Sequence, residues 1–185
     1  MRPARTLWLI AAIGLAPIVA SVVAYYWLTP SRRVNYGELL AIAPAPPVAG
    51  IDSEGRPATL ADWRGKWVLL IVSPAGCAEA CMRALYTTRQ ARTIQGAQQD
   101  RVARVLLQAV SAPLPDAGLS AAHPGLRLLR ADRDQLAELP LAPRADVGIL
   151  LLDTRGNLVL RYGTDPDIRG LAKDLKRLLQ TSQIG

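Results

Sequence analysis

Histidine and cysteine are scarce in this 185-residue chain, with one of the first and two of the second, and phenylalanine is absent. A single histidine, His123, leaves no convincing Ser-His-Asp triad. No glycine-rich phosphate loop follows any apolar run, which excludes the common nucleotide-binding motifs. Aromatic residues make up only 5% of the chain, and the 22 Lys and Arg are scattered among 15 Asp and Glu. A nucleic-acid surface needs a basic stripe or a known motif, and neither is visible. Without Arg2 and Arg5 the remainder carries 20 basic against 15 acidic side chains, a net +5. A solvated surface, helped by anionic lipid headgroups, accounts for that balance. Asp153, Asp165 and Asp167 fall in turns and at a helix cap, where local hydrogen bonding explains them, so no hard-metal site is expected.

Charge is missing altogether from residues 7–28. As a helix this run is about 33 Å long, enough to cross a bilayer. Tyr25, Tyr26 and Trp27 cluster near its far end as interfacial anchors. Pro17 can kink such a helix without breaking it in a membrane. A cleaved signal peptide is the competing reading, but its apolar core runs only about 7–15 residues and no clear Ala-x-Ala site closes this one. The expectation is an uncleaved transmembrane anchor over 1–30, a Pro-rich tether over 31–47 and one domain over 48–185. Charge alone does not orient it, since Arg2, Arg5 and the amino terminus nearly balance Arg32 and Arg33. The simplest arrangement is a single pass through the inner (cytoplasmic) membrane with the domain in the periplasm. There thiol pairs form and exchange disulfides.

Within the domain, Ile51-Asp-Ser-Glu-Gly-Arg56 predicts a hairpin turn, and Leu60-Ala-Asp-Trp-Arg-Gly-Lys66 a short helix and turn. Residues 68–72 and 102–110 are apolar runs expected as buried strands, and a helix over 79–96 between them makes a parallel βαβ unit. Residues 111–125 read as an irregular loop, and 132–139 as a short helix capped by Asp132. Strands over 147–152 and 158–162 form an antiparallel hairpin around Asp153-Thr-Arg-Gly-Asn157. A last helix carries the apolar stripe Ile168, Leu171, Leu175, Leu178 and Leu179. Trp63 and Trp67 flank the first central strand and are expected to pack under the sheet.

What is present, against this background, is Cys77-Ala-Glu-Ala-Cys81, which holds both cysteines at the turn from a buried strand into a helix. With a helix starting near Cys77, the two sulfurs lie one turn apart on one face. The pair can then form a disulfide or capture a soft metal through two thiolates. A helix N-terminus favours the thiolate form. Glu79 between them either tunes the pair or simply stabilises the first turn. The bland alternative is two small buried hydrophobes or an inert disulfide.

The order β-α-β then β-β-α, with this pair at the first βα turn, resembles the thioredoxin-like α/β fold. The string Leu60-Ala-Asp-Trp-Arg-Gly-Lys-Trp-Val-Leu-Leu-Ile-Val-Ser-Pro-Ala-Gly-Cys77 is similar to membrane-anchored thioredoxin-like proteins. Three residues between the cysteines, together with Asn35-Tyr-Gly-Glu-Leu-Leu40, resemble the Sco family of cytochrome c oxidase assembly proteins over nearly the whole chain. The resemblance implies that Cys77 and Cys81 bind copper and exchange electrons. It implies partners in oxidase subunit II or other assembly factors. In that family a histidine precedes the strand that is 147–152 here, yet Pro143-Arg-Ala-Asp146 contains none, and His123 falls much earlier, in a position more typical of a solvated surface residue. The cis-proline of true thioredoxins is missing too. Two thiolates can hold Cu(I), whereas Cu(II) wants a nitrogen donor. Three functions stay open: Cu(I) delivery or thiol redox at an oxidase copper site, a membrane-tethered thiol-disulfide oxidoreductase or peroxidase, and a non-catalytic docking module. No Thr stands just ahead of Cys77 to serve a peroxidase.

Overall fold

The computed structural model describes residues 3–27, 35–116, 118–143 and 145–181. Arg2, Arg32 and Arg33 of the charge argument lie outside them, as do the side chains of Arg5, Tyr25, Tyr26 and Trp27. The chain divides into Met1–Val34 and Asn35–Gly185. The first unit holds helix α1, Pro3–Trp27, with Pro17 inside it. Its described side chains, such as Ile13, Ile18 and Val22, are exposed. Among the described residues no helix is long and apolar enough to cross a membrane.

The second unit is built on an eight-stranded mixed sheet. In chain order its strands are β1 (Glu38–Pro44), β2 (Ala49–Ile51), β3 (Pro57–Thr59), β4 (Trp67–Val72), β5 (Val102–Ala109), β6 (Leu126–Ala131), β7 (Gly148–Leu152) and β8 (Asn157–Tyr162). They lie side by side as β1-β8-β7-β4-β5-β6-β2-β3. Parallel pairing joins β4 to β5 and β5 to β6, and the other contacts are antiparallel. All six residues of β4 are buried, because this central strand is covered on both faces. Alternation then sorts its side chains. Leu69 and Ile71 join Leu85 of α2 (Glu79–Thr93) and Leu171 and Leu175 of α5 (Ile168–Thr181) on one face. Val68, Leu70 and Val72 face Leu60 of the 3-10 turn Leu60–Trp63 and Leu136 of α4 (Arg133–Ala137) on the other. The expected parallel βαβ unit and the hairpin of β7 and β8 are both present. A bulge where Leu151 and Leu152 meet Leu160 and Leu158 sends those two β8 side chains to opposite faces. Trp67 is buried on the α2 face and Trp63 packs against the opposite core.

Three details differ from expectation. Residues 38–44, placed in a tether, form β1 on the edge of the sheet, where Glu38 pairs with Arg161 at 2.8 Å. The compact unit therefore starts at Asn35, not at 48. Six of the seven β1 residues are exposed, so no burial pattern marks the strand in the sequence, and an edge tolerates Pro44. Strand β6 was not anticipated: Arg127 and Arg130 interrupt its apolar run, yet it pairs with β5 along its length. Its neighbour β2 comes so close that a Cβ at Gly50 would stand 1.8 Å from the Arg130 carbonyl oxygen. Within 111–125, read as irregular, lies the short helix α3 (Gly118–Ala122). Asp132 does occupy the N-cap of α4, but without a side-chain capping bond.

A buried carboxylate ties the start of the unit to α5. Asp174 accepts hydrogen bonds from the backbone N–H of Tyr36 (3.0 Å) and Gly37 (2.8 Å) and from the Tyr162 hydroxyl (3.2 Å). Three donors make the desolvated charge tolerable. Burial first, and then the adjacent Asp174 charge, raise the Tyr162 phenol well above its ordinary pKa.

Candidate functional site

The cysteine loop leaves the sheet where β4 ends. Ser73 continues the strand pairing by donating its N–H to the Leu107 carbonyl (2.9 Å), while its hydroxyl donates to the Gly76 carbonyl (2.6 Å). The Gly76 N–H closes the turn on the Ser73 carbonyl (3.2 Å). At φ +110°, Gly76 adopts a conformation that side chains disfavour, and a Cβ there would also press on Pro113. The turn delivers Cys77 to the head of α2. Ala78 is the extended N-cap, and the Met82 N–H donates to its carbonyl (3.0 Å).

Cys77 and Cys81 are joined by a disulfide with their Cα atoms 5.0 Å apart, a separation such bridges ordinarily span. The helix begins at Glu79, so Cys77 precedes it and Cys81 sits in its first turn. The two sulfurs are unequally accessible: Cys81 is 0% exposed and packs in the α2 face of the core, whereas Cys77 is only half-buried. Glu79 forms an ion pair with Arg83, and Arg83 also lies 3.8 Å from Asp165. The acid is thus engaged as a first-turn residue with a cation one turn on.

The segment where the resemblance to the Sco family implies a histidine lies close to the cysteine turn. Val72 pairs with Gly148, so the residues leading into β7 arrive beside the end of β4, where the cysteine turn begins. Pro143, Ala145 and Asp146, the described residues there, supply no imidazole. His123 does not replace it. It follows α3 and is buried rather than solvated, with its Nδ1 unpartnered among the described residues. Burial first, then the Arg104 and Arg89 charges, lower its pKa below the usual imidazole value. Among the described residues no three His, Cys, Asp or Glu side chains converge as metal ligands.

One site residue escaped the sequence reading. Met82 Sδ lies 3.9 Å from Cys77 Sγ, and Met82 is 40% exposed. The available signal was three sulfur-bearing residues at 77, 81 and 82 in a chain with only one methionine besides Met1. Met82 stands between two open clefts. One, of about 780 Å³, runs from Cys77 along Pro113, Leu114 and Pro115 to Leu119. The other, of about 720 Å³, is bounded by Tyr36, Tyr86 and Ile168. The site therefore offers one accessible sulfur backed by a buried one, a thioether beside them, and open approaches on either side. Such a group can exchange disulfides and can offer soft donors. It lacks the oxygen donors of a hard-cation site.

Comparison with known proteins agrees with this architecture. ScoI of Bradyrhizobium japonicum, with copper bound, is 20% identical over 73% of this chain and 99% of its own, with a TM-score of 0.55. Apo Sco1 of Thermus thermophilus is 20% identical over 82% of this chain and 98% of its own, at a TM-score of 0.60. The thioredoxin domain of a thiol-disulfide oxidoreductase of Bacteroides vulgatus is 17% identical over 76% and 99%, at 0.57. At such identities the likeness is one of fold: thioredoxin-like, with Sco proteins and thiol-disulfide oxidoreductases as structural neighbours. No curated relative matches the chain. The family model for the transmembrane-like, thioredoxin-like, C-terminal domain matches residues 67–182, from the first residue of β4 to beyond the end of α5, and the chain belongs to that family.

Proposed function

We propose that the chain is a membrane-anchored Sco-like protein that assists cytochrome c oxidase assembly through Cys77 and Cys81. It acts on the copper site of oxidase subunit II, or on another assembly factor there, by delivering Cu(I) or by thiol-disulfide exchange. The observation that carries the proposal is the asymmetric pair at the βα turn: an accessible Cys77 sulfur bonded to a fully buried Cys81. In the exchange reaction the Cys77 thiolate attacks one sulfur of a partner disulfide, and the other partner sulfur leaves as a thiolate. Cys81 then attacks Cys77 and expels the second partner thiolate, so the partner gains two electrons and the Cys77–Cys81 disulfide forms. The N-terminus of α2 stabilises the thiolate negative charge at this position.

The donor set suits copper in its reduced state. Two thiolates hold Cu(I) as a soft cargo ion, and without an imidazole nearby the residues do not suit a stable Cu(II) form. Anchoring rests on the uncharged 7–28 run, and the periplasmic setting on the need for a compartment where disulfides exchange. A tethered thiol-disulfide oxidoreductase is the second reading. It is favoured by the missing imidazole and by the likeness to the Bacteroides vulgatus oxidoreductase domain.

The test is titration of Cu(I) into the reduced full-length chain in detergent, against a competing chelator, beside a Cys77→Ala, Cys81→Ala variant. Tight one-to-one binding that disappears in the variant is the expected result. Binding no stronger than the variant's sinks copper delivery and leaves the exchange reading. Equilibration of the cysteine pair with glutathione buffers would then test that alternative.

A further inference from the structure

Among the described residues, the proposed copper site has two cysteines and no third ligand from histidine, aspartate or glutamate. We propose that Met82 supplies the third donor, so that Cu(I) is held by the Cys77 and Cys81 thiolates and the Met82 thioether. The proposal rests on the copper-delivery reading above and names the ligand that the absent histidine leaves open.

Geometry is the first argument. Met82 Sδ lies 3.9 Å from Cys77 Sγ. Two sulfurs each about 2.3 Å from one metal ion and about 120° apart stand about 4.0 Å from each other, taking the usual metal–thiolate distance. The thioether is therefore already at the spacing of a shared ion while the cysteines are still oxidised. Reduction frees Cys77 Sγ and Cys81 Sγ from each other and opens the remaining place between three sulfurs.

Environment is the second. Met82 is 40% exposed at the mouth of the site, on the first turn of α2 after Cys81. A methionine recruited to fill the core would be buried, as Cys81, Ala84 and Leu85 on the same helix are. It lines the cleft that opens on Cys77 and also borders the neighbouring one, so an ion bound there can be approached by an incoming partner's ligands. Of the other candidates, Glu79 is engaged by Arg83, and His123 is buried and does not line the cleft beside Cys77.

Chemistry is the third. A neutral thioether is a soft ligand that suits Cu(I) and does little for Cu(II) or Zn(II) in competition with nitrogen donors. Two thiolates, one thioether and Cu(I) sum to a single negative charge. Binding releases protons only from the cysteines, since Met82 has none to lose. A weak third ligand also suits a site that must give its ion away.

The experiment compares the full-length reduced chain with Met82→Leu, which keeps the volume and removes the sulfur, and with Cys77→Ala, Cys81→Ala. X-ray absorption at the copper edge should count three sulfur neighbours in the unaltered chain and two in Met82→Leu. Chelator competition should show Cu(I) affinity lowered roughly 10- to 100-fold, as when a metal site loses a supporting group. Near-ultraviolet circular dichroism of the copper-free proteins should coincide, which shows that the fold around the site is intact. Three sulfurs and unchanged affinity in Met82→Leu overturn the assignment while leaving copper delivery standing. Two sulfurs in both proteins do the same. Failure of the unaltered chain to bind Cu(I) overturns both.

Discussion

Reducing the Cys77–Cys81 bridge should weaken the fold only slightly, and the size of the effect separates a working redox pair from a structural staple. The two residues are four apart, so the bridge closes a ring of about five residues. The loop entropy it removes from the unfolded chain is about 7 cal/mol/K, or about 2 kcal/mol at 25 °C, whereas a loop of about 100 residues would contribute about 4.7 kcal/mol. In a unit the size of 35–185 each kcal/mol moves Tm by about 2–4 °C, so reduction should lower it by about 4–8 °C. Replacing both cysteines by alanine also removes a sulfur from the fully buried site of Cys81, adding about 1 kcal/mol for lost burial. Serine at 81 is the poorer control because it would bury a hydroxyl. The assay is thermal unfolding of the full chain in detergent, followed by near-ultraviolet circular dichroism, oxidised, reduced and as Cys77→Ala, Cys81→Ala. A loss of tertiary signal on reduction, or a Tm drop beyond about 15 °C, would refute the reasoning and make the bridge a staple.

Asp174→Ala should cost about 2–4 kcal/mol in urea unfolding, because the Tyr36 and Gly37 amides and the Tyr162 hydroxyl all lose their acceptor. Asp174→Asn, which keeps one oxygen, should cost clearly less, and equal costs would contradict the account. Gly50→Ala should destabilise by more than about 3 kcal/mol, since its Cβ would meet backbone rather than a movable side chain. A change under about 1 kcal/mol in chemical denaturation would show that β2 and β6 can separate at little cost. His123 has a folded pKa below its ordinary 6.5, so below that pH the unfolded chain takes up a proton that the native state resists. Its contribution is complete above pH 6.5 and is lost as pH falls towards the folded pKa, at no more than about 1.4 kcal/mol per pH unit. Denaturant midpoints of the unaltered chain and His123→Gln, measured from pH 7.5 to 5, should converge as the pH falls. Parallel profiles would rule His123 out as the cause.

Much of the centre of this protein was legible from residues 67–110 and 147–179 alone. Short unbroken apolar runs with β-branched residues, such as 68–72, read as strands covered on both faces, and the stripe of α5 repeats at helical spacing. The two edges were not legible, because an edge strand need not alternate. β1 is exposed almost throughout, and β6 carries Arg127 and Arg130 within its run. The second central strand hid the opposite irregularity. Arg104 is fully buried in it, donating to the Leu85 carbonyl at 2.7 Å, and that burial lowers its pKa to about 10. A sequence window registers the apolar neighbours but not which helix carbonyl will meet a guanidinium.

The cysteine pair, its position at the βα turn, the lack of a histidine before β7 and the uncharged 7–28 run were all determined by the sequence, since each depends on residue identity and local spacing. The tertiary structure decided which sulfur is accessible, where His123 goes and what stands beside Cys77. Burial of Cys81 depends on α5 and β4 closing over α2, and His123 follows α3, whose last residue, Ala122, accepts a hydrogen bond from Arg89 at its carbonyl. The approach of Met82 depends on where α2 begins. A helix starting at Glu79 rather than at Cys77 leaves Cys77 ahead of the first turn, within 3.9 Å of the thioether five residues on.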